Sequence, residues 1–214
     1  MEEILMKPYV VGITGASGAV YGIRFVQILA ELGHDLALVV SDAARLVIQE
    51  ELQVTLGNLT DKESFRTFFE PHILERLTLY SSKDFTAPIA SGSYPTQGMV
   101  IIPCSTGTLG HVASGAIVNL VHRAAECHLK EGRRLVVVPR ETPLSVIQLE
   151  NMLKLARAGV RVIPASPAFY SGARTLQDLV DFVVGKVLDS LEILHAVYPR
   201  WTGKTWKSSE AVSS

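Results

Sequence analysis

The chain has 214 residues, 48% of them hydrophobic and 19% charged, with a net charge of -1. It is long enough for one domain with a substantial core, and its low charge excludes disorder. The charge balance provides no basic field for nucleic acid and no polybasic patch for a membrane, and no apolar run reaches the roughly 18 residues of a membrane span.

The elements alternate along the chain. Tyr9–Thr14 is a short apolar, β-branched run that stops at Gly15-Ala16-Ser17-Gly18. A helix is predicted to Leu32, with Gly33 in the place of a C-terminal cap. Asp35–Val40 reads as a second strand, and Ser41-Asp42 as the cap of a helix through about Leu52. Gly57–Glu70 gives a short helix after Thr60-Asp61-Lys62-Glu63. Gly98–Pro103 is a further buried strand, followed by helices near Thr106–Ala113 and Leu120–Lys130. Leu135–Pro139 is a strand, Ser145–Ala158 a helix and Val160–Pro164 the last strand. From about Thr175 to His195, the apolar residues Leu176, Leu179, Val183, Val187, Leu191 and Leu194 step by three and four, which predicts a closing helix.

Strands that are apolar on both faces and separated by helices imply a mostly parallel sheet covered on both sides, a three-layer α/β/α sandwich. Ligands bind such folds beyond the carboxyl ends of the strands, so the loops there are the place to look for a site. The reading divides the chain into a short extension over 1–8, a single domain over 9–198 and a tail over 199–214.

Four strand-end loops carry chemistry. Gly15, Ala16 and Ser17 permit close approach of a ligand and offer backbone N–H groups and a hydroxyl to an anion. The loop is neither a GxGxxG fingerprint nor a P-loop. Ser41 ends the second strand, where a plain capping role competes with ligand binding. Pro103-Cys104-Ser105-Thr106-Gly107-Thr108 again sets small hydroxyl residues and glycine after a buried strand. Cys104 invites a nucleophile role, yet no charged neighbour in sequence activates it, and packing is the favoured account. In Pro139-Arg140-Glu141-Thr142-Pro143, two prolines stiffen a loop that offers an anion-binding guanidinium beside a proton-transferring carboxylate. Arg123 and Lys130 share one helical face, and Lys186 interrupts an apolar helix, where it has an alternative role as a snorkelling side chain. Tyr170 belongs to the core or to a lid. Asp178 and Asp181 are read as acids favouring a helix N-terminus. The six histidines show no metal-ligand spacing, so no metal is expected. Two cysteines, Cys104 and Cys127, form no disulfide framework, and a cytoplasmic enzyme with reduced thiols follows.

Taken in order, Thr14-Gly15-Ala16-Ser17-Gly18-Ala19, Ala90-Ser91-Gly92-Ser93, Pro103 to Leu109, Val138-Pro139-Arg140-Glu141 and Glu150-Asn151-Met152-Leu153 resemble the UbiX flavin prenyltransferases, and the likeness continues to Pro199-Arg200-Trp201. The resemblance implies a flavodoxin-like, Rossmann-type fold that binds FMN. It implies transfer of a dimethylallyl group from its monophosphate to N5 and C6 of reduced FMN, closing a fourth ring. The prenylated FMN then serves UbiD-type decarboxylases. The family was long described as decarboxylases, and its members form dodecamers with sites at subunit contacts, which agrees with the apolar composition. By position, the resemblance assigns Gly15, Ala16, Ser17, Ser41, Ser105, Thr106, Gly107 and Arg140 to flavin. Tyr170, Lys186, Arg123 and Lys130 hold the prenyl phosphate with help from Ser17. Glu141 matches the acid that assists phosphate departure and proton transfer, and Glu51, beside Glu50, a second active-site carboxylate. Trp201 matches an aromatic that shields the site. The rivals are an FMN-dependent cysteine-type decarboxylase, whose histidine after the first loop is replaced here by Ala19-Val20-Tyr21-Gly22, and a non-enzymatic flavin carrier.

Overall fold

The computed structural model describes residues 7–201 and 203. The chain divides into two compact units, Met1–Ala165 and Ser166–Ser214. Among the described residues the first unit contains six strands: β1 (Tyr9–Ile13), β2 (Leu36–Val40), β3 (Leu77–Ser81), β4 (Gly98–Cys104), β5 (Leu135–Pro139) and β6 (Arg161–Val162). All pair in parallel, in the order β3-β2-β1-β4-β5-β6. The order reverses between β1 and β4, and at such a switch point the loops after neighbouring strands part and leave a crevice.

The helices of this unit are α1 (Ala19–Glu31), α2 (Asp42–Leu52), the short α3 (Pro71–Glu75), α4 (Thr106–Ser114), α5 (Leu120–Lys130) and α6 (Val146–Arg157). One face of the sheet, through Val10, Ala37, Val39, Met99, Ile101, Leu135 and Val137, packs on Leu109 and Val112 of α4, Val121 and Ala124 of α5 and Leu155 of α6. The other face carries α1, whose Gly22 lies so close that a Cβ would stand 2.5 Å from the Ile102 carbonyl and 3.0 Å from the Ile13 side chain. α2 and α3 pack beside α1. The result is the expected three-layer, flavodoxin-like arrangement. The central strands β1, β2, β4 and β5 are buried along their whole length, which is why they read as unbroken apolar runs.

Three elements differ from the sequence reading. β3 was not foreseen, because Leu77-Thr78-Leu79-Tyr80-Ser81 is an edge strand, buried fully only at Leu77. The last strand shrinks to Arg161–Val162, since it also has a neighbour on one side only. In the second unit, α7 (Leu176–Ser190) stops before His195, and Glu192 adopts φ 61, outside the helical region. Asp178 is the N3 residue of a capping box with Thr175, as acids at a helix start should be.

Candidate active site

The parallel sheet brings the carboxyl ends of β1, β2, β4 and β5 to one edge, and the site is built from the loops there. The β1 and β4 ends are joined through Thr14, a buried residue whose hydroxyl donates to the Pro103 carbonyl at 2.8 Å and accepts the Ser105 N–H at 2.8 Å. The Ser41 N–H donates to the Ile13 carbonyl at 3.0 Å, which draws the β2 end to the β1 end. From β5, Arg140 Nε reaches the Ser17 carbonyl at 3.2 Å. Four loops far apart in sequence thus meet around the first one.

The first loop is held close to α2. A Cβ on Gly15 would come 2.6 Å from the Ala43 Cβ, so only glycine permits this approach. Gly18 sits at φ 95, a left-handed conformation that side chains resist. α1 has no side-chain cap of its own. Glu51, at the end of α2, supplies one: both carboxylate oxygens accept the Gly18 N–H, at 3.0 and 2.9 Å, and the second also takes the Ala19 N–H at 2.9 Å. The anion-seeking N–H groups of this turn are therefore answered in part from within the protein, and Glu51 rather than Glu50 faces the loop.

Ser41 and Ser105 both act as helix caps. Ser41 Oγ accepts the Ala44 N–H at 3.1 Å. Ser105 Oγ accepts the Thr108 N–H at 3.2 Å and donates to Thr108 Oγ1 at 3.0 Å. Beyond them, Thr106 and Gly107 line a cavity of about 500 Å³ with Gly110, His111 and α6 residues Ile147, Gln148 and Asn151. A Cβ on Gly107 would meet nothing within 4 Å, so the start of α4 faces open space. Glu141 lies exposed at the end of β5 and takes the Thr142 N–H on Oε1 at 3.0 Å.

Burial favours the packing account of Cys104. It is fully buried, and burial pushes its thiol up to about 12, so it stays protonated at neutral pH.

Arg123 and Lys130 lie along α5 beside the Ala90–Ser93 segment. Arg123 Nε donates to the Ala90 carbonyl at 2.8 Å, while Lys130 Nζ pairs with Glu131 at 2.7 Å and stands 2.7 Å from where a Gly92 Cβ would be. Arg133 holds the carbonyls of Gly92 and Tyr94. In the second unit, Tyr170 meets Phe182 and Trp201 edge-on, and Lys186 Nζ lies 3.5 Å from Asp189 Oδ2. Thr14, which joins the β1 and β4 ends, and Asp189, which pairs with Lys186, are contacts that the sequence reading passed over. A hydroxyl between an apolar strand and a glycine loop was the available signal for the first, and Asp189 carried none. Among the described residues no group of three or more His, Cys, Asp or Glu is placed to hold a metal ion.

A family model described as Flavoprotein matches residues 2–188. A flavin prenyltransferase UbiX of Halalkalibacterium halodurans is 51% identical over 193 residues, which cover 90% of this chain and 92% of that protein. Among solved structures, a dodecameric FMN-dependent UbiX-like decarboxylase from Escherichia coli O157:H7 matches with a TM-score of 0.80 at 41% identity, over 92% of this chain and all of the other. AnUbiX (PadA1), solved in complex with FMN and dimethylallyl pyrophosphate, matches with a TM-score of 0.80 at 37% identity, over 93% of this chain and 99% of the other.

Proposed function

The chain belongs to the UbiX flavin prenyltransferases, and from that premise we propose that it joins a dimethylallyl group from dimethylallyl monophosphate to N5 and C6 of reduced FMN. The product, prenylated FMN, passes to UbiD-type decarboxylases. The observation that carries this reading is the meeting of Arg140 with Ser17 at the switch point, where a cation and a glycine loop converge beside the open, hydroxyl-rich start of α4.

The residues present suit a flavin phosphate and ring edge. Gly15, Ala16, Ser17, Ser41, Ser105, Thr106, Gly107 and Arg140 would hold it, with Gly107 leaving room and Arg140 supplying the charge. Reduced flavin supplies the two nucleophilic ring positions. The protein has to hold the prenyl phosphate, receive its leaving charge and exclude water. Tyr170, Lys186, Arg123 and Lys130 are assigned to the phosphate by the family resemblance. Fixed cations and hydroxyl donors stabilise a phosphate more as its charge grows during allylic C–O cleavage, which is where rate is gained. Glu141, exposed on its loop, would protonate the departing oxygen and take up the proton released from C6, while the proton lost from N5 on alkylation balances the one added to the prenyl double bond before the ring closes. Ser17 helps to orient the phosphate, and Trp201 shields the cation from water. We assign Glu51 two duties, a cap on the first loop and a carboxylate facing the site.

A homo-oligomer, a dodecamer by analogy, fits the surface of α6, where Val146 and Ile147 are each 70% exposed and Leu149 and Leu153 follow on the same helix. We place the enzyme in the cytoplasm. Among the described residues no helix is long and apolar enough to cross a membrane. Residues 9–198 are read as one flavin-binding domain with a tail after it.

The test is direct. Protein is incubated without oxygen with reduced FMN and either dimethylallyl monophosphate or diphosphate, and the released flavin is weighed. A flavin heavier by one five-carbon unit, formed from the monophosphate, supports the reading. Unmodified flavin with both donors overturns it in favour of a carrier.

A further inference from the structure

In the second unit one carboxylate gathers the segment that follows α7. Asp189, on the last turn of α7, accepts Tyr198 Oη at 2.7 Å and His195 Nε2 at 3.1 Å, and pairs with Arg200 Nη1 at 2.6 Å. The His195 side chain is fully buried, and its Nδ1 accepts the Val197 N–H at 3.2 Å. Its Nε2 lies 3.1 Å from both Asp189 Oδ1 and Arg200 Nη2, so the ring is wedged between the carboxylate and the guanidinium. The Arg200 guanidinium also lies over the Tyr198 ring, 5.1 Å from its centre. That ring seats directly on the helix, since a Cβ on Gly185 would stand 2.3 Å from it. From Tyr198 a chain of rings runs through Phe182 at 5.0 Å to Tyr170 at 6.1 Å, and Trp201 closes on Tyr170 at 5.7 Å. Lys186 stands one turn before Asp189 on α7, within 3.5 Å of its Oδ2.

We propose that Asp189 is a positioning residue for the prenyl-phosphate half of the site, aiming Lys186 along α7 and folding the His195–Trp201 segment back so that Trp201 abuts Tyr170. The proposal rests on the flavin prenyltransferase reading, which assigns Tyr170 and Lys186 to the substrate. Three side chains of the segment after α7 converge on the one carboxylate, so the segment has one anchored arrangement. With the charge of Asp189 removed, Lys186 loses its near partner, and Tyr198, His195 and Arg200 lose their common one.

The chain has two tryptophans, Trp201 and Trp206, so W206F leaves Trp201 as the sole emitter. In that background Asp189→Asn and Tyr198→Phe are compared with the W206F parent. Four quantities are read: acrylamide quenching of Trp201, the Kd for FMN, and KM and kcat for dimethylallyl monophosphate. For D189N, quenching is expected to rise and KM to climb about tenfold or more, the loss of one to two charge-assisted bonds, with the FMN Kd within about twofold. Y198F is expected to raise quenching and KM by less, because the Lys186–Asp189 pair remains. Should D189N fail to fold, Y198F carries the same test. Raised quenching with unchanged KM makes the clasp purely structural and overturns the proposal, as do unchanged quenching and KM. An equal rise in the FMN Kd and in KM overturns it too. A W206F parent and wild type that both transfer no prenyl group refute the underlying reading, and with it the proposal, before any Asp189 variant is measured.

Discussion

Glu51 holds Gly18 by two contacts at once: each oxygen of the carboxylate lies within 3.0 Å of the one backbone nitrogen. This bond ties the end of α2 to the start of α1 across the loop assigned to the flavin. It gives the carboxylate a measurable structural share apart from any chemical one. Glu51→Ala is expected to destabilise the protein by about 1 kcal/mol, as losing a helix cap does, and Glu50→Ala by much less. Glu51→Gln, which can still accept both N–H groups, should keep most of the stability. If E51Q melts like wild type yet turns over slowly, the carboxylate has a chemical duty besides. Thermal unfolding beside single-turnover prenyl transfer separates the two.

Gly15 owes its smallness to Ala43. Its Cβ site is 2.6 Å from the Ala43 Cβ and 3.3 Å from that residue's carbonyl carbon. Gly15→Ala should therefore displace the first loop and weaken FMN binding about tenfold or more, in line with the 1–3 kcal/mol that overpacking costs. Ala43→Gly removes the nearest obstacle, and the double variant should recover much of the loss. Fluorescence titration of FMN against the four proteins closes the cycle. A loss that A43G leaves untouched would mean that the loop fails for another reason.

The exposed Glu141 is the proposed acid and base. Glu141→Gln preserves its shape and removes its proton chemistry, so prenyl transfer should slow by about 10²–10⁴ while FMN affinity stays near that of wild type. Stopped-flow measurement of flavin alkylation under saturating substrate checks this. A variant as fast as wild type would leave Glu141 with the loop-positioning role alone.

A pH dependence of stability is built into α5. His122 is buried and stacks on His111 with ring centres 4.6 Å apart, and among the described residues neither of its ring nitrogens meets a hydrogen-bond partner. Burial, and then the charge on His111, lowers His122 to about 4. In the unfolded chain a histidine takes up its proton near 6.5. Between those values the unfolded state binds more protons, so the contribution of His122 is complete above about 6.5 and is lost as pH falls towards about 4. His122→Phe should flatten the fall of the unfolding midpoint over that window while keeping the ring stack. A midpoint that falls as steeply in H122F as in wild type would assign the acid sensitivity to other groups.

Alternation of strand and helix, the parallel sheet and the strand-end loops were all legible in the sequence. Tyr9–Ile13, Leu36–Val40, Gly98–Cys104 and Leu135–Pro139 are buried on both faces, so local composition alone marks them. The edge strand β3 escaped because its outer half is solvated, and composition there resembles that of a loop. Ser41 was legible as a cap, since a cap acts within three residues of itself, whereas Ser105, read only as a hydroxyl for a ligand, proves to cap α4 as well. The contacts that turn these loops into one site were not. Thr14 meets Ser105 across 91 residues, Arg140 meets Ser17 across 123, and Glu51 meets Gly18 across 33. Each depends on which strands lie side by side, and hydrophobic periodicity records whether a residue faces the core but not which strand is its neighbour. The state of Cys104 was decided in the same way: the sequence offered a thiol beside hydroxyls, and only the packing of β4 between two strands removed the water that a thiolate needs.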